Sequence, residues 1–158
     1  MNRSCGEAAV RKLADRMMTA AEMKSFLSGK GYEDEEIRQT ILQLREDGYL
    51  DDRKYCAEYF VVAFRRNKGK YRVFAELRRK GVDEEIIAAA YEDYADEQPV
   101  DETSMAREEA EKVLRLAELT PEDPVPDKIR GRIARRLNSL GYGSGIIYAI
   151  LEELKRGE

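Results

Sequence analysis

Clusters of arginine and lysine are the side chains in this sequence best suited to chemistry, and the chemistry that they offer is anion binding. Residues 65–80 hold eight basic residues and one acid, Glu76, and residues 128–136 form a second basic stretch. Such side chains make charge-assisted hydrogen bonds to carboxylates and phosphates. The candidate partner-binding or DNA-binding residues are Arg65, Arg66, Lys68, Lys70, Arg72, Arg79, Lys80, Lys128, Arg132 and Arg135.

The two basic stretches differ in the acids that accompany them. At 100° per residue, Arg72 and Arg79 point away from the apolar face of their helix, and Glu76 lies beside them. An internal Arg72–Glu76 pair therefore competes with partner binding as an interpretation of this face. One acid-free face of the second stretch carries Lys128, Arg132 and Arg135. Like charges at this spacing repel each other, so they favour an anionic partner.

Residue types that support catalysis or metal binding are scarce. The chain has no histidine, and Cys5 and Cys56 lie far apart, so neither a general base near neutral pH nor a zinc site is expected. Adjacent carboxylates at Asp51 and Asp52 suit the start of a helix, where they accept free N–H groups. The glycine-rich stretch 141–145 lacks the lysine of a nucleotide-binding loop. We predict no enzyme activity, no metal and no cofactor.

Composition predicts a protein that remains in the cytoplasm. Charged residues make up 38% and apolar residues 42%, and no apolar run is long enough to cross a membrane. The start of the sequence lacks the pattern of a secretory signal, so both thiols are expected to stay reduced. We expect no contact with membranes.

The basic residues are positioned by a unit that occurs three times. The stretches 23–32, 73–82 and 133–142 align without gaps, and each ends in a glycine followed by an apolar residue. This pattern predicts a helix that ends at a left-handed glycine, then a tight turn and a new helix. The turn glycines are Gly31, Gly81 and Gly141.

A further amphipathic helix precedes each hairpin, so we predict an all-α fold of three tandem three-helix repeats. The predicted boundaries are residues 1–48, 49–97 and 98–158, and a Pro-containing insertion at 120–127 lengthens the third repeat. Capping residues mark helix starts at Ser4, Thr19, Asp51, Asp83 and Ser144. Stacked repeats predict an elongated, curved array and, with capped ends, a monomer.

The helix predicted within residues 55–64 is unusually apolar. Glu58 is its only charged residue, so we expect the helix to be sandwiched between neighbouring helices. The second repeat would then lie at the centre of the molecule. Gly48 is predicted to end the helix before it, and Gly69 belongs to the turn that follows it.

One stretch resembles a known family, the RecX regulators of the bacterial RecA recombinase. The resemblance rests on Leu44-x-x-x-Gly48-Tyr49-Leu50-Asp51-Asp52 and on Lys68-Gly69-x-x-Arg72-Val73-x-x-Glu76-Leu77-x-x-Lys80-Gly81-Val82. The pattern Thr19-x-x-Glu22-Met23 is similar to that family's Ser/Thr-x-x-Glu-Leu. Met17-Met18 stands where family members commonly carry a basic residue, and the third repeat matches only in its helical period and its glycine.

The resemblance implies a regulator that lies in the groove of a RecA filament on single-stranded DNA. It would modulate recombination, DNA repair and the SOS response, and inhibition of the recombinase and ATPase activities is the expected direction. Two alternatives stay open from the residues alone. One is a helical module that binds single-stranded nucleic acid, and the other is a scaffold for an unrelated protein.

Overall fold

The computed structural model describes residues 3–154, and within that range every regular element is an α-helix. The prediction of an all-α fold is confirmed. The helices are α1 (Cys5–Asp15), α2 (Ala20–Gly29), α3 (Asp34–Glu46), α4 (Asp52–Arg65), α5 (Lys70–Arg79), α6 (Glu84–Glu97), α7 (Glu102–Leu116), α8 (Asp127–Ser139) and α9 (Ser144–Glu153).

The helices form two compact units that do not coincide with the predicted repeats. The first unit contains the residues up to 59 together with Glu76–Asp96, and the second contains Phe60–Ala75 and the residues from 97 onwards. The boundaries between the units fall inside α4 and α5, so each of these helices belongs partly to one unit and partly to the other. The repeat boundaries at residues 48 and 97 stay a prediction.

The core of the first unit is built from the apolar faces of short helices. Helices α1, α2 and α3 pack against one another, and Met23, Leu27 and Ile37 are almost completely buried between them. Thr19 caps α2 and forms a full capping box with Glu22, as the sequence predicts. Burial of these side chains is the main source of stability for helices too short to persist alone.

The core of the second unit lies between α7, α8 and α9. Leu114, Ile133, Leu137 and Ile150 are buried there. The Pro-containing insertion contributes to this core, because its residue Val125 is fully buried. The insertion is therefore a packed part of the third repeat and more than a longer connection.

Glycine ends the middle helix of each predicted repeat. Gly31, Gly81 and Gly141 have φ angles of 92°, 87° and 92°, in the left-handed region that side chains with a Cβ rarely adopt. The predicted helix–glycine–helix hairpins are thus present. Gly48 has φ 80° and follows α3, as predicted.

Asp51 and Asp52 both bind backbone N–H groups, but of different helices. An Asp51 carboxylate oxygen accepts hydrogen bonds from the N–H groups of Arg53 and Lys54, so Asp51 caps α4. Asp52 instead accepts from the N–H of Ala20, the first residue of α2, at 2.9 Å. The first turn of α4 thus satisfies an amide that α2 leaves unpaired.

Helix α4 is covered less completely than its composition predicts. Phe60, Ala63 and Phe64 are buried, whereas Val61 and Val62 are 40% and 50% exposed. Neighbours therefore bury part of this helix, and Val61 and Val62 lie on a strip that they leave exposed. Their exposure bears on the candidate site.

Candidate functional site

The end of α4 presents two predicted site residues to solvent. Arg65 and Arg66 are exposed, and neither makes an ion pair within the described residues. The chain then turns at Asn67, which adopts the left-handed conformation (φ 59°) and is buried. Asparagine tolerates this conformation better than most residues with a Cβ.

A buried carboxylate, Glu109 on α7, anchors the turn at Asn67. It accepts hydrogen bonds from Asn67 Nδ2 at 2.9 Å, Lys112 Nζ at 2.7 Å and Arg136 at 3.2 Å. Burial by itself would raise the pKa of Glu109, but these three donors outweigh it and hold the pKa below the usual value. Glu109 therefore carries its charge at neutral pH and fixes the position of α7 against the turn.

Sequence reasoning missed Glu109, although a signal was present. On α7, residues 106, 109, 110 and 113 follow the spacing of one helical face, and Ala106, Ala110 and Val113 are apolar. An acid at 109 interrupts that buried stripe. A buried acid needs partners, and the basic stretch 128–136 supplies one of them in Arg136.

The three basic residues at the start of α5 are half-buried. Lys70 Nζ lies 5.3 Å from the centre of the Phe74 ring, and Arg72 donates a hydrogen bond to the Ser139 carbonyl at 3.1 Å. The Lys68 amide donates to the Ala63 carbonyl. Lys68, Lys70 and Arg72 therefore belong to the packed structure of the second unit as well as to the predicted binding set.

Arg79 and Lys80 lie in the first unit and differ from each other. Arg79 is exposed and makes no ion pair among the described residues. Lys80 Nζ lies 3.9 Å from a Glu22 carboxylate oxygen and 5.9 Å from the centre of the Tyr59 ring. Glu76, the acid considered as a partner for Arg72, accepts a hydrogen bond from the Tyr59 hydroxyl at 2.7 Å.

Some basic residues of α8 bind other parts of the fold, and others are exposed to solvent. Arg136 binds Glu109, and Arg130 donates to the Leu151 and Leu154 carbonyls at the end of α9. The three residues that the sequence places on one face are exposed and form no ion pair within residues 3–154: Lys128, Arg132 and Arg135. This helix face is thus an uncompensated positive surface.

The exposed valines of α4 lie on the same helical face as its terminal arginines. Val61, Val62, Arg65 and Arg66 are spaced i, i+1, i+4 and i+5, and all four are exposed. We call these four residues the α4 face. Apolar side chains beside arginine are typical of a protein–protein contact, where arginine is enriched and lysine depleted.

Neither cysteine is placed for chemistry. Cys5 and Cys56 are buried and free, and burial, together with the charge of nearby Asp52, raises the pKa of Cys56 to about 11. The Cys56 thiol therefore stays protonated at neutral pH.

Across residues 3–154, acids and cysteines form no group of three that could hold a metal ion. A helix long and apolar enough to span a bilayer does not occur in that range either.

Comparison with known sequences connects this architecture to one family. A family model described as the second three-helix domain of RecX matches residues 51–90. The regulatory protein RecX of Mycolicibacterium smegmatis is 34% identical over 146 residues, which cover 90% of this chain and 74% of the relative. That of Trichlorobacter lovleyi is 34% identical over 151 residues and 94% of each chain.

Comparison of folds finds the same helical arrangement in two solved structures. The crystal structure of RecX from Lactobacillus salivarius superposes with a TM-score of 0.77 and covers 95% of this chain and 94% of its own, at 23% identity. A second structure, of a regulatory protein RecX, has a TM-score of 0.75 and covers 94% of this chain. The helical arrangement is therefore shared with these proteins.

Proposed function

The chain belongs to the RecX family of regulatory proteins, and on that premise we propose that it regulates the RecA recombinase by binding the filament that RecA forms on single-stranded DNA. Binding would reduce filament assembly and ATP turnover. The α4 face and the basic face of α8 are the proposed contacts. Both lie in the second unit.

The α4 face is the observation that favours a protein partner. Its two valines are 40% and 50% exposed, and its two arginines have no ion pair among the described residues. Contact with phosphates alone would leave the valines without an apolar partner. Burial of a valine against a partner contributes about 25 cal/mol for each Å² of apolar surface removed from water. The main alternative is a nucleic-acid module. Such a module binds through cations and exposed aromatic rings, and an aliphatic patch adds nothing to that binding.

The proposed contact is tested by reversing charge only where the structure leaves the side chain exposed. The variant carries Arg65→Glu, Arg66→Glu, Arg132→Glu and Arg135→Glu. We expect affinity for RecA filaments to fall by roughly tenfold or more, as is usual when several arginine contacts are lost. Fluorescence anisotropy with labelled chain measures the affinity, and RecA ATPase activity measures the regulation.

A matched control carries the same change in charge at other exposed sites. Its substitutions are Lys24→Glu, Arg45→Glu, Lys54→Glu and Arg115→Glu, all at residues outside the proposed contact. This control should bind filaments nearly as well as the natural chain. Equal losses in both variants would mean that net charge alone, and no defined surface, governs binding.

A second variant separates protein contact from DNA contact. Val61→Ser with Val62→Ser removes the apolar part of the α4 face and changes no charge. We expect weaker binding to RecA filaments and unchanged binding to naked single-stranded DNA. If the chain binds naked DNA as tightly as filaments, with a steep salt dependence, the nucleic-acid alternative is correct.

A further inference from the structure

The three glycine turns have the same backbone geometry. In each, the glycine N–H donates to the carbonyl three residues earlier, and the next residue donates to the leucine carbonyl five residues before it. The glycine donors pair with Ser28, Arg78 and Asn138, and the leucines are Leu27, Leu77 and Leu137. The three turns therefore present the same backbone groups, in the same geometry, to any segment that docks on them.

The N-terminus of α2 docks on the Gly81 turn. The Thr19 hydroxyl donates to the Lys80 carbonyl at 2.7 Å. A Cβ on Gly81 would lie 2.2 Å from the Cβ of Ala21, so the two backbones are in close contact. The acid of the first turn of α2, Glu22, reaches the Lys80 ammonium at 3.9 Å. A capped helix N-terminus with an acid thus meets a Lys-Gly turn.

The N-terminus of α5 docks on the Gly141 turn in a related way. The N–H of Gly69, the residue before α5, donates to the Leu140 carbonyl at 2.6 Å. A Cβ on Gly141 would lie 2.2 Å from the Cβ of Arg72. Two turns of this chain therefore receive the N-terminus of a helix, each within one compact unit.

The Gly31 turn has the same shape and an open surface. Gly31 is exposed, and a Cβ built on it would meet no described atom within 4 Å. Lys30 precedes it as Lys80 precedes Gly81, and Lys30 is exposed. Within residues 3–154, nothing occupies the docking position that is filled at the other two turns.

The cavity beside the Gly31 turn selects for negative charge. It has a volume of about 810 Å³, and its charged lining is Arg3, Arg11, Lys12 and Lys30 against one acid, Asp15. Lys12 Nζ and Lys30 Nζ lie 5.2 Å and 5.7 Å from the centre of the same Phe26 ring. Two ammonium groups held near one ring repel each other, and an anion between them would relieve that repulsion.

We propose that the Lys30–Gly31 turn and this basic cavity bind the N-terminus of a helix from a partner protein, one that begins with a Ser or Thr cap and carries an acid in its first turn. The cap hydroxyl donates to the Lys30 carbonyl and the acid pairs with Lys30, as Thr19 and Glu22 do at Lys80. The docking helix presents its positive dipole end to that carbonyl. The site uses none of the proposed filament-binding residues and stands if that proposal fails.

Charge argues against helix α8 of a second copy as the occupant, and the test below distinguishes a partner helix from α1 of a second copy, which has the Ser4 cap and Glu7 in its first turn. The third middle helix, α8, is the natural counterpart of α2 and α5, but its N-cap is Pro126, which has no hydroxyl, and Lys128 and Arg132 outnumber the one acid, Asp127, in its first two turns. It would bring cations to a cavity already lined by four. Partner helices with an acidic first turn bring the opposite charge, and a purely nucleic-acid ligand would not use the turn carbonyl as an acceptor from a helix cap.

The test uses the full chain and a synthetic helical peptide. The probe is an alanine-rich peptide of about 16 residues, long enough to form a helix in part, that begins Thr-Ala-Ala-Glu; its control begins Thr-Ala-Ala-Gln. Backbone amide shifts of the ¹⁵N-labelled chain are followed by NMR during titration. We expect shifts at Lys30, Gly31 and Tyr32, with the Gln peptide about two- to fivefold weaker, the range of one exposed ion pair.

Variants and a second ligand decide between occupants. Lys30→Glu should weaken peptide binding about tenfold, because repulsion replaces attraction, whereas Lys24→Glu on the same helix should leave it unchanged. Absence of shifts at the Gly31 turn, or equal binding of both peptides, would overturn the proposal. So would stronger shifts there with a single-stranded oligo-dT, or shifts that appear with protein concentration alone, which would indicate DNA and a second copy respectively.

Discussion

At the scale of single residues, charge in this molecule divides into side chains that hold the fold and side chains that are left for a partner. Arg130, Arg136 and Lys112 are fixed by carbonyls or by Glu109. Arg65, Arg132 and Arg135 have no ion pair within the described residues. Sequence showed where the cations are. It did not show which of them the fold uses, because their partners lie far away in the chain.

Asp52 illustrates the same difficulty. A pair of aspartates before a helix predicts capping, and Asp51 does cap α4. The amide that Asp52 binds belongs to Ala20, 32 residues earlier. Local pattern predicts the kind of bond that such a carboxylate makes, whereas the tertiary fold decides which amide receives it.

Glu109 is predicted to be the most sensitive polar residue of the second unit. Glu109→Gln keeps the shape but removes the charge that three donors share, so we expect the free energy of unfolding at pH 7 to fall by about 1–3 kcal/mol. Urea denaturation measures it. The control Glu108→Gln, at an exposed neighbour, should change stability by less than about 0.5 kcal/mol.

Low pH should remove the difference in unfolding free energy between the natural chain and Glu109→Gln. Because the pKa of Glu109 in the folded chain lies below its ordinary value of 4.5, the stabilisation from its charge is complete above pH 4.5 and is lost as pH falls through the lower, folded-state value. The gap in unfolding free energy between the natural chain and Glu109→Gln should therefore shrink below pH 4.5. A gap that stays constant down to the acid transition would contradict this role.

At the scale of helices and turns, the positions that needed only local information were predicted well. A glycine followed by an apolar residue marked all three hairpins because the left-handed conformation is a property of the glycine itself. Helix α9 begins at Ser144 as predicted, although its N-cap is Gly143 and Ser144 makes no side-chain cap bond. The exposure of Val61 and Val62 could not be read from the sequence, since it depends on where α4 meets its neighbours.

Alanine at the turn glycines should separate backbone strain from packing. Gly31→Ala should lower the free energy of unfolding by about 1–2 kcal/mol, the cost of a Cβ in the left-handed conformation. Gly81→Ala and Gly141→Ala should lose about 1–3 kcal/mol more, because the new Cβ overlaps Ala21 or Arg72. Equal losses in all three variants, measured by urea denaturation, would show that the close contacts contribute nothing.

At the scale of the whole molecule, chain order and compact units do not agree. Helical periodicity in the sequence marks three repeats, but the second unit combines Phe60–Ala75 with the residues from 97 onwards. Periodicity identifies helices and their apolar faces. It does not say which faces meet, so the two units could not be predicted.

A chain that ends at residue 97 tests this organisation. It keeps two of the predicted repeats but loses the acceptor of the Gly69 amide, the Leu140 carbonyl. We expect the Gly69 amide to exchange with solvent at least about tenfold faster than in the full chain, since its opening no longer requires breaking the second unit. Amides of α2 should keep their protection, and an unchanged rate at Gly69 would contradict the assignment.

Tyr142 gives the second unit a built-in optical signal. The chain has nine tyrosines and no tryptophan, so its near-ultraviolet absorption comes from phenol rings. The Tyr142 hydroxyl is buried and donates to the Asn67 carbonyl, and burial, followed by the charge of Glu109, raises its pKa. In an alkaline titration, the Tyr142 phenol therefore ionises at a higher pH than an unperturbed phenol does, and phenolate absorbance in the ultraviolet measures that step. The absorbance that appears at this higher pH reports when the hydrogen bond from the Tyr142 hydroxyl to the Asn67 carbonyl breaks.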